Sequence, residues 1–595
     1  MVKMKNSIFR KVSKTSDDQE PYAERVYKDD YAPYVKSSFR SHCCEKYPDE
    51  KPLGRLESSR SMAEVFRHAV RMHGDKPCMG YRPLLETLAG EFEGRPINKL
   101  SQGGYKFHSY ETVDQLVDFY GRGFREIGIR PHDRVAILAE TCFEWMCIAL
   151  ALMRYNMPIV TLYATLSEEG VVHGLTETRV STVVTSQDLL ERMRDRFAKI
   201  LTLKHIIYLE RVDKPVPRSV LGKELMSSTT LRNLGEHPEN DYRPEDPKPH
   251  DVAILMYTSG STGVPKAVTL THLNLLSGAK GLGEVFESLK VRTDDAYVAY
   301  LPLAHVFELT CEIIAILFGV KIGYSSATTL TDNSPSIIPG QQGDCSILQP
   351  TIMPAVPLML DRVKKAVIRK CREKGAVSAR VLELAIQETL KRHKRGQDAT
   401  IYDKDIFAQI RSVVGGKLRI IATGSAPLSP ETHAFIRSAL GCLVIQGYGL
   451  TESCAAATCM TLDDDATGEV GCPVVGAYVK LEDWQEGGYF VKDNKGEIIL
   501  GGEMIAAGYF NNERLSAECF FEEGGIRWFR TGDIGEVTDR GTFKIIDRKK
   551  DLVKLQHGEY ISLGKPESGL VTAAMKLCRK EIQKKYQTEL DQLYR

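Results

Sequence analysis

No stretch of this 595-residue chain reads as a membrane-crossing helix. The longest uninterrupted apolar run, residues 145–153, has nine members between Glu144 and Arg154, where a span needs about 20. An excess of one charge sign is also lacking. Lys and Arg total 79 against 78 Asp and Glu, a formal net charge of +1, which argues against a whole-protein polyanion binder. The 14 cysteines are scattered, and Cys43-Cys44 is the only adjacent pair. No CxxC pair or His/Cys cluster has zinc-ligand spacing, so free thiols in a reducing compartment are expected. No internal repeat is visible, and the N-terminus shows no signal-peptide apolar segment. With 43% hydrophobic and 26% charged residues, the composition is that of a folded globular chain.

The first fourteen residues, MVKMKNSIFRKVSK, carry five basic side chains and no acidic one. Met1, Met4, Ile8, Phe9 and Val12 give them a weak apolar stripe. Two readings stay open: a membrane-surface or targeting segment, or a frayed, solvated terminus. Residues 1–60 as a whole are polar and read as an extended arm or irregular leader. From residue 62 the pattern turns globular, with a helix predicted over 62–72. Short β-rich runs at 134–138, 160–163, 183–185 and 205–209 alternate with helical stretches, which predicts parallel βαβ units. Residues 233–250, with four prolines, read as a surface loop, and 253–257 as a strand. Residues 350–395 read as mainly helical. Within 362–395, twelve Lys/Arg face three Glu, a local excess of +9. That is either a solvated helix face or a contact for a phosphate-rich partner. Further strands are predicted at 417–422 and 497–500.

Residues 257–266, YTSGSTGVPK, concentrate Ser, Thr and Gly in one run. Gly260 and Gly263 let the backbone approach an anion, and amides and hydroxyls donate to phosphate oxygens. A strand before the run and a helical stretch after it (273–286) place it, as an expectation, near a helix N-terminus that favours anions. It is not a Walker A loop, because Val264-Pro265 separates Gly263 from Lys266.

The string resembles the phosphate-binding signature of the adenylate-forming enzymes. Further strings follow in that superfamily's order: YLPLAHVFE (300–308), GSAPL (424–428), QGYGLTES (446–453), RTGDIG (530–535) and IIDRKKDLVK (545–554). Residues 531–565 resemble the fatty-acyl-CoA synthetase signature. With VTLYATL (160–166), VVHGL (171–175), IGYSS (322–326) and DWQEGGY (483–489), the chain is similar to animal long-chain acyl-CoA synthetases of the type 3/type 4 branch. The resemblance implies an α/β fold: a large N-terminal adenylate-forming domain with mostly parallel sheets, and a small α+β C-terminal lid. The expected division is a leader at 1–60, a large AMP-binding domain at 61–539 and a lid at 540–595.

The implied activity is an ATP-dependent long-chain fatty acid–CoA ligase working through an acyl-adenylate. Its implied cofactors and substrates are ATP, Mg²⁺, CoA and a long-chain fatty acid, with no nucleic-acid partner. By resemblance, Thr258, Ser259, Gly260, Ser261, Thr262 and Gly263 bind the β/γ-phosphates, with Lys266 closing the motif. Tyr448 stacks on adenine, Thr451 contacts the α-phosphate and Glu452 is the metal ligand. Gly424, Ser425 and Ala426 line the adenine and acyl pocket. Asp533 accepts the ribose hydroxyls, and Arg548 reaches ribose or phosphate. His305 sits near the acyl carboxylate, with a satisfied core histidine as its alternative. Lys550 occupies the hinge about which the lid rotates. Lys576, in GLVTAAMKLCRK (569–580), matches the lysine that contacts ATP and the acyl carboxylate.

One departure stands out. After GEYISLGK (558–565) the chain passes through Pro566-Glu567-Ser568 directly to that terminal string, so the middle of the lid is missing relative to the family. The lid is therefore expected to be truncated, with thioester formation impaired more than adenylation. Two alternatives follow: an adenylate former with a non-CoA acceptor, or a non-catalytic acyl- or nucleotide-binding isoform. The family's setting implies association with a membrane surface: the cytosolic face of the endoplasmic reticulum, the mitochondrial outer membrane or a lipid droplet.

Overall fold

The structure, a computed structural model, describes residues 22–25, 33–36, 51–92, 94–258, 265–373, 375–394 and 407–549, together with the strands Leu552–Lys554 and Tyr560–Ser562. The strands Val135–Leu138 (VAIL) and Ile159–Leu162 (IVTL) are buried at every position, as parallel strands covered on both faces must be. They sit in an eight-stranded sheet ordered Glu224–Ser227, His205–Leu209, Thr182–Ser186, Val135–Leu138, Ile159–Leu162, Val252–Thr258, Lys266–Thr271 and Gly508–Tyr509. The first six run parallel, and the last two add on antiparallel.

A second, nine-stranded sheet has a parallel centre. It comprises Leu443–Tyr448, Ile420–Thr423, Ile352–Ala355, Ala296–Ala299, Lys321–Tyr324 and Pro77–Tyr81. Short antiparallel strands close both of its edges. A third sheet, antiparallel throughout, joins Tyr478–Glu482, Lys495–Gly501, Phe520–Glu523, Ile526–Val537 and Phe543–Arg548 to Ala23–Arg25 and Tyr34–Lys36. The apolar run 145–153 becomes the helix Phe143–Arg154, in which every residue but Glu144 is buried. It touches Ile159–Leu162 of one parallel sheet and Pro77–Tyr81 of the other. A helix that is apolar all round belongs in such a core position.

The expected α/β architecture is observed, with four corrections of detail. First, the leader is not irregular throughout. Its strands Ala23–Arg25 and Tyr34–Lys36 extend the third sheet, and the helix Pro52–Ser58 buries Leu53 and Leu56. Segments this short carry too few apolar residues to show a period. Second, residues 233–236 end the helix Ser228–Glu236, so the proline-rich loop starts later. Third, the region 350–395 holds the strand Ile352–Ala355 before the helices Pro357–Glu373 and Ala376–Lys394.

The fourth correction bears on the site. The Ser/Thr/Gly string does not lead into a helix. Residues 266–271 form a strand antiparallel to Val252–Thr258, with Thr258 opposite Lys266. The helix His272–Ser288 begins one strand length away, about 20 Å, where Thr271 and Asn274 form a capping box. The string therefore links two paired antiparallel strands rather than a strand and a helix. The expected lid boundary at 540 also falls inside a hairpin, because Phe543–Arg548 pairs with Ile526–Val537.

Candidate active site

Two clusters of polar side chains adjoin one cavity, the first through Thr451, the neighbour of Glu452, and the second through Tyr448. The first is built on the strand pair that brackets the Ser/Thr/Gly turn. Ser259, Gly260, Ser261, Thr262 and Gly263 lie outside the described residues, as do Lys550 and Lys576. The turn's two ends are placed: Thr258 closes one strand and Lys266 opens the next, in register. Lys266 Nζ donates to the hydroxyl of Tyr509 at 2.8 Å and lies 3.9 Å from the centre of that ring. The Tyr509 hydroxyl in turn donates to Glu452 Oε1 at 2.7 Å. Lys266 and Glu452 stand 3.8 Å apart. Burial, and then the Glu452 carboxylate, push the Tyr509 hydroxyl well above its ordinary range, so it stays a donor at any working pH.

Tyr509 was not expected from the sequence. It stands in AAGYF (506–510), with no charge or spacing signal. It reaches the cluster because Gly508–Tyr509 pairs with the strand that starts at Lys266.

Glu452 itself sits in the short turn Thr451–Ser453 that follows the strand Leu443–Tyr448. The backbone there is strained. Cys454 (φ 48°) and Ala455 (φ 88°) are non-glycine residues with positive φ, as is Ser425 (φ 68°) across the cavity. Such conformations cost about 1–3 kcal/mol each and gather at functional sites. Gly449 is required at this bend, because a Cβ there would stand 1.8 Å from the Ala455 carbonyl oxygen.

The second cluster centres on Asp533, which is 2% exposed. Its Oδ2 accepts from the Tyr448 hydroxyl at 2.9 Å and its Oδ1 from Arg548 Nε at 2.5 Å. The pairing of Asp533 with Arg548 in the hairpin register fixes this contact. The Asp533 carboxylate beside it holds the Arg548 guanidinium above its ordinary range. Burial, then Asp533, raises Tyr448. Each carboxylate oxygen retains a second lone pair, so the group can accept further donors.

Beside these clusters opens a mainly apolar cavity. Gly424, Ser425, Tyr448, Gly449 and Thr451 line its polar end. Phe286, Leu289, Val291, Tyr297, Phe307 and Cys311 are among those lining its apolar part. His305 lies on the wall and also caps the helix Val306–Leu317, its Nδ1 accepting from the Phe307 amide at 3.1 Å. His305 is half-buried, so it has a structural task as a helix cap and a place on the cavity wall at once. Ala426 is exposed and stands outside the cavity wall.

No group of three or more metal-ligating side chains occurs among the described residues. The carboxylate of the first cluster is Glu452, beside Thr451. A donor set of one carboxylate suits Mg²⁺ carried in on substrate phosphates, because that ion keeps most of its shell as water and phosphate oxygen.

Comparison with known proteins places these clusters in context. A family model described as AMP-binding enzyme matches residues 66–510. Long chain acyl-CoA synthetase 8 of Arabidopsis thaliana is 41% identical over 529 residues, covering 86% of this chain and 73% of that protein. Long-chain-fatty-acid–CoA ligase 1 of Schizosaccharomyces pombe is 33% identical, covering 91% and 80%. Among solved structures, the adenylation domain of a carboxylic acid reductase from Segniliparus rugosus, in complex with AMP and a carboxylic acid, superposes with a TM-score of 0.69. It is 18% identical, covering 94% of this chain and 98% of that one. A long-chain-fatty-acid-CoA ligase from Archaeoglobus fulgidus gives 0.59 at 20% identity, covering 82% and 84%. At these identities the two structures speak for the fold.

Proposed function

Since the chain belongs to the AMP-binding enzyme family, we infer that it is an ATP-dependent long-chain fatty acid–CoA ligase. A fatty carboxylate oxygen attacks the α-phosphorus of ATP, the bond to the β-phosphate breaks, and pyrophosphate leaves. The CoA thiol then attacks the acyl carbon, the acyl–phosphate bond breaks, and AMP leaves. The observation that carries this reading is the joining of a cation–carboxylate cluster to an apolar cavity. Lys266, Tyr509 and Glu452 stand at the phosphate end, and an aliphatic and aromatic pocket receives the chain.

Each assignment follows from chemistry the geometry supports. Lys266 offsets phosphate charge, and the Tyr509 hydroxyl holds it beside Glu452. Glu452 and Thr451 would hold Mg²⁺, which when bound supplies charge neutralisation on the phosphates. Asp533 accepts ribose hydroxyls while Arg548 and Tyr448 fix its orientation. Gly424 and Ser425 leave room for the adenylate, and His305 orients the carboxylate. Burying the alkyl chain contributes about 0.8 kcal/mol per CH₂.

The unusual junction 565–569 lies outside the described residues. On the resemblance, we propose that it slows thioester formation more than adenylation. One set of assays separates the readings. Purified protein with palmitate should exchange labelled pyrophosphate into ATP and release acyl-CoA when CoA is present. Exchange without acyl-CoA favours a different acceptor. Calorimetric binding of ATP and fatty acid without exchange favours a non-catalytic binder. Acyl-CoA formation as fast as exchange sinks the impaired-thioester reading.

A second reading, association with a membrane surface, has its own observation. The helix Pro357–Glu373 exposes Arg362, Lys365, Arg369 and Arg372 at helical spacing. Among the described residues, Arg362, Lys365 and Arg372 have no ion-pair partner, and Arg369 meets Glu373 at 3.8 Å. The next helix, Ala376–Lys394, exposes Val377, Val381 and Leu384 at i, i+4 and i+7. Basic and apolar stripes together suit an anionic bilayer surface. No helix among the described residues is long and apolar enough to cross a membrane.

A further inference from the structure

Behind the apolar wall of the cavity lies a pair of buried acids that the proposed reaction does not use. The helix Val306–Leu317 (VFELTCEIIAIL) places Glu308 and Glu312 one turn apart. Both are 0% exposed. Glu308 Oε2 accepts from the Tyr297 hydroxyl at 3.1 Å, and Glu312 Oε2 accepts from the Tyr324 hydroxyl at 2.7 Å. The two tyrosines stand on neighbouring parallel strands, where Tyr297 is opposite Ile322 and Tyr324 is opposite Ala299. Alternation along those strands puts both rings on the face that meets the helix.

No cation pairs with either acid among the described residues. Burial raises both groups well above the ordinary carboxylate range, and Glu312 raises Glu308 further. The second oxygen of each carboxyl, Oε1, is buried without a hydrogen-bond partner. Apolar side chains of similar volume would fill this place at lower cost.

The position of the pair says what it does. Tyr297 and Cys311 line the cavity directly. Glu308 holds the hydroxyl of Tyr297, and Cys311 lies on the helix between the two acids. The wall that an acyl chain would meet is therefore anchored by the Tyr297–Glu308 hydrogen bond as well as by packing. The ring of Tyr297 cannot turn or withdraw without leaving a buried carboxyl unpartnered.

We propose that Glu308 is a positioning residue that sets acyl-chain selectivity by fixing Tyr297 as a wall of the cavity. This rests on the ligase reading above. Loss of the anchor lets the wall yield, and longer or more kinked chains gain relative to shorter ones.

The test is the ratio of kcat/KM for a C20 acid to that for a C16 acid, measured through acyl-AMP formation, with KM for ATP followed in parallel. Glu308→Ala should raise the ratio by about fivefold or more, since one methylene of fit changes discrimination by about tenfold or more. KM for ATP should hold. Glu308→Gln keeps the neutral acceptor and should restore the wild-type ratio. Tyr297→Phe removes a single oxygen and keeps the assay informative where Glu308→Ala does not fold; it should raise the ratio at least about twofold. An equal loss of activity on both acids in every variant, or an unchanged ratio in Tyr297→Phe, overturns the proposal. Wild-type protein that forms no adenylate with any acid overturns the ligase reading instead, which is a separate result.

Discussion

The hydroxyl of Tyr509 carries two charged partners at once, accepting from Lys266 and donating to Glu452. Hydrogen bonds to charged groups contribute about 1.5–3 kcal/mol, so Tyr509→Phe should slow pyrophosphate exchange about 10–100-fold. Its thermal unfolding should move little, because the ring still packs against Phe520. Exchange at the wild-type rate would show that the bridge is ornamental. Two other buried residues tie stability to pH. Burial pulls His272 down to about 4, against a smaller upward pull from Asp251, and its Nδ1 accepts from the Met62 amide. Burial, reinforced by Arg437, pulls His433 down to about 4. The unfolded chain takes up these protons near pH 6.5 and the folded chain only near 4. Their contribution is therefore complete above about pH 6.5 and is lost as pH falls through that window. At about 1.4 kcal/mol per unit, each amounts to at most about 3 kcal/mol. Urea midpoints at pH 7.5 and pH 5 check this. His272→Gln should remove part of the difference, and an identical difference in the variant would refute the assignment.

At the scale of elements, the helix Pro52–Ser58 decides whether the leader is part of the body. It packs on the helix His272–Ser288. A Cβ at Gly283 of that helix would lie 2.9 Å from Leu53 Cδ2 and 3.4 Å from Leu56 Cδ2, so the two helices meet closely there. Leu56 is 0% exposed. Leu56→Ala should cost about 2–5 kcal/mol, seen as a lower urea midpoint, while the neighbouring exposed Glu57→Ala should cost almost nothing. Equal midpoints would return this segment to the status of a loose arm. What the sequence revealed of the elements follows from burial on both faces. VAIL, IVTL and HIIYL are continuous apolar runs because their strands are covered above and below, and such runs are legible. KAVTLT, residues 266–271, is legible only weakly. It follows a turn whose composition points to a strand–helix junction, and its pairing partner precedes that turn. The seven-residue helix at 52–58 has too few turns to display a period at all.

For the whole molecule, the six strings spread over some 300 residues carry the family resemblance, and the structure brings His305, Gly424, Ser425, Tyr448 and Thr451, from three of them, to one cavity. The structure adds what only contact can give: Tyr509 lies 57 residues from Glu452 and 243 from Lys266, and the anchor of Tyr297 is a carboxyl of an apolar helix. The near-zero net charge hides a similar distinction at the surface. The local +9 over residues 362–395 resolves into one exposed basic stripe on Pro357–Glu373 and one exposed apolar stripe on Ala376–Lys394. Elsewhere on this helix pair, Arg380 and Arg392 meet Glu383 and Glu388, so the charge without an ion-pair partner among the described residues falls mainly on Pro357–Glu373, at Arg362, Lys364, Lys365, Lys370 and Arg372. Lys and Arg near an anionic membrane contribute about 1 kcal/mol each. Replacing Arg362, Lys365, Arg369 and Arg372 together by Ala should weaken partitioning onto phosphatidylserine vesicles by about 10²–10³-fold, with a shallower dependence on salt. Leu384→Asp should weaken binding on the same vesicles with a smaller change in that dependence, because it acts on the apolar term. Neutral phosphatidylcholine vesicles should bind the wild-type chain and the basic-stripe variant alike. Co-sedimentation at two salt concentrations measures all of these, and equal partitioning of wild type and the fourfold variant on anionic vesicles would assign the stripe to a solvated face.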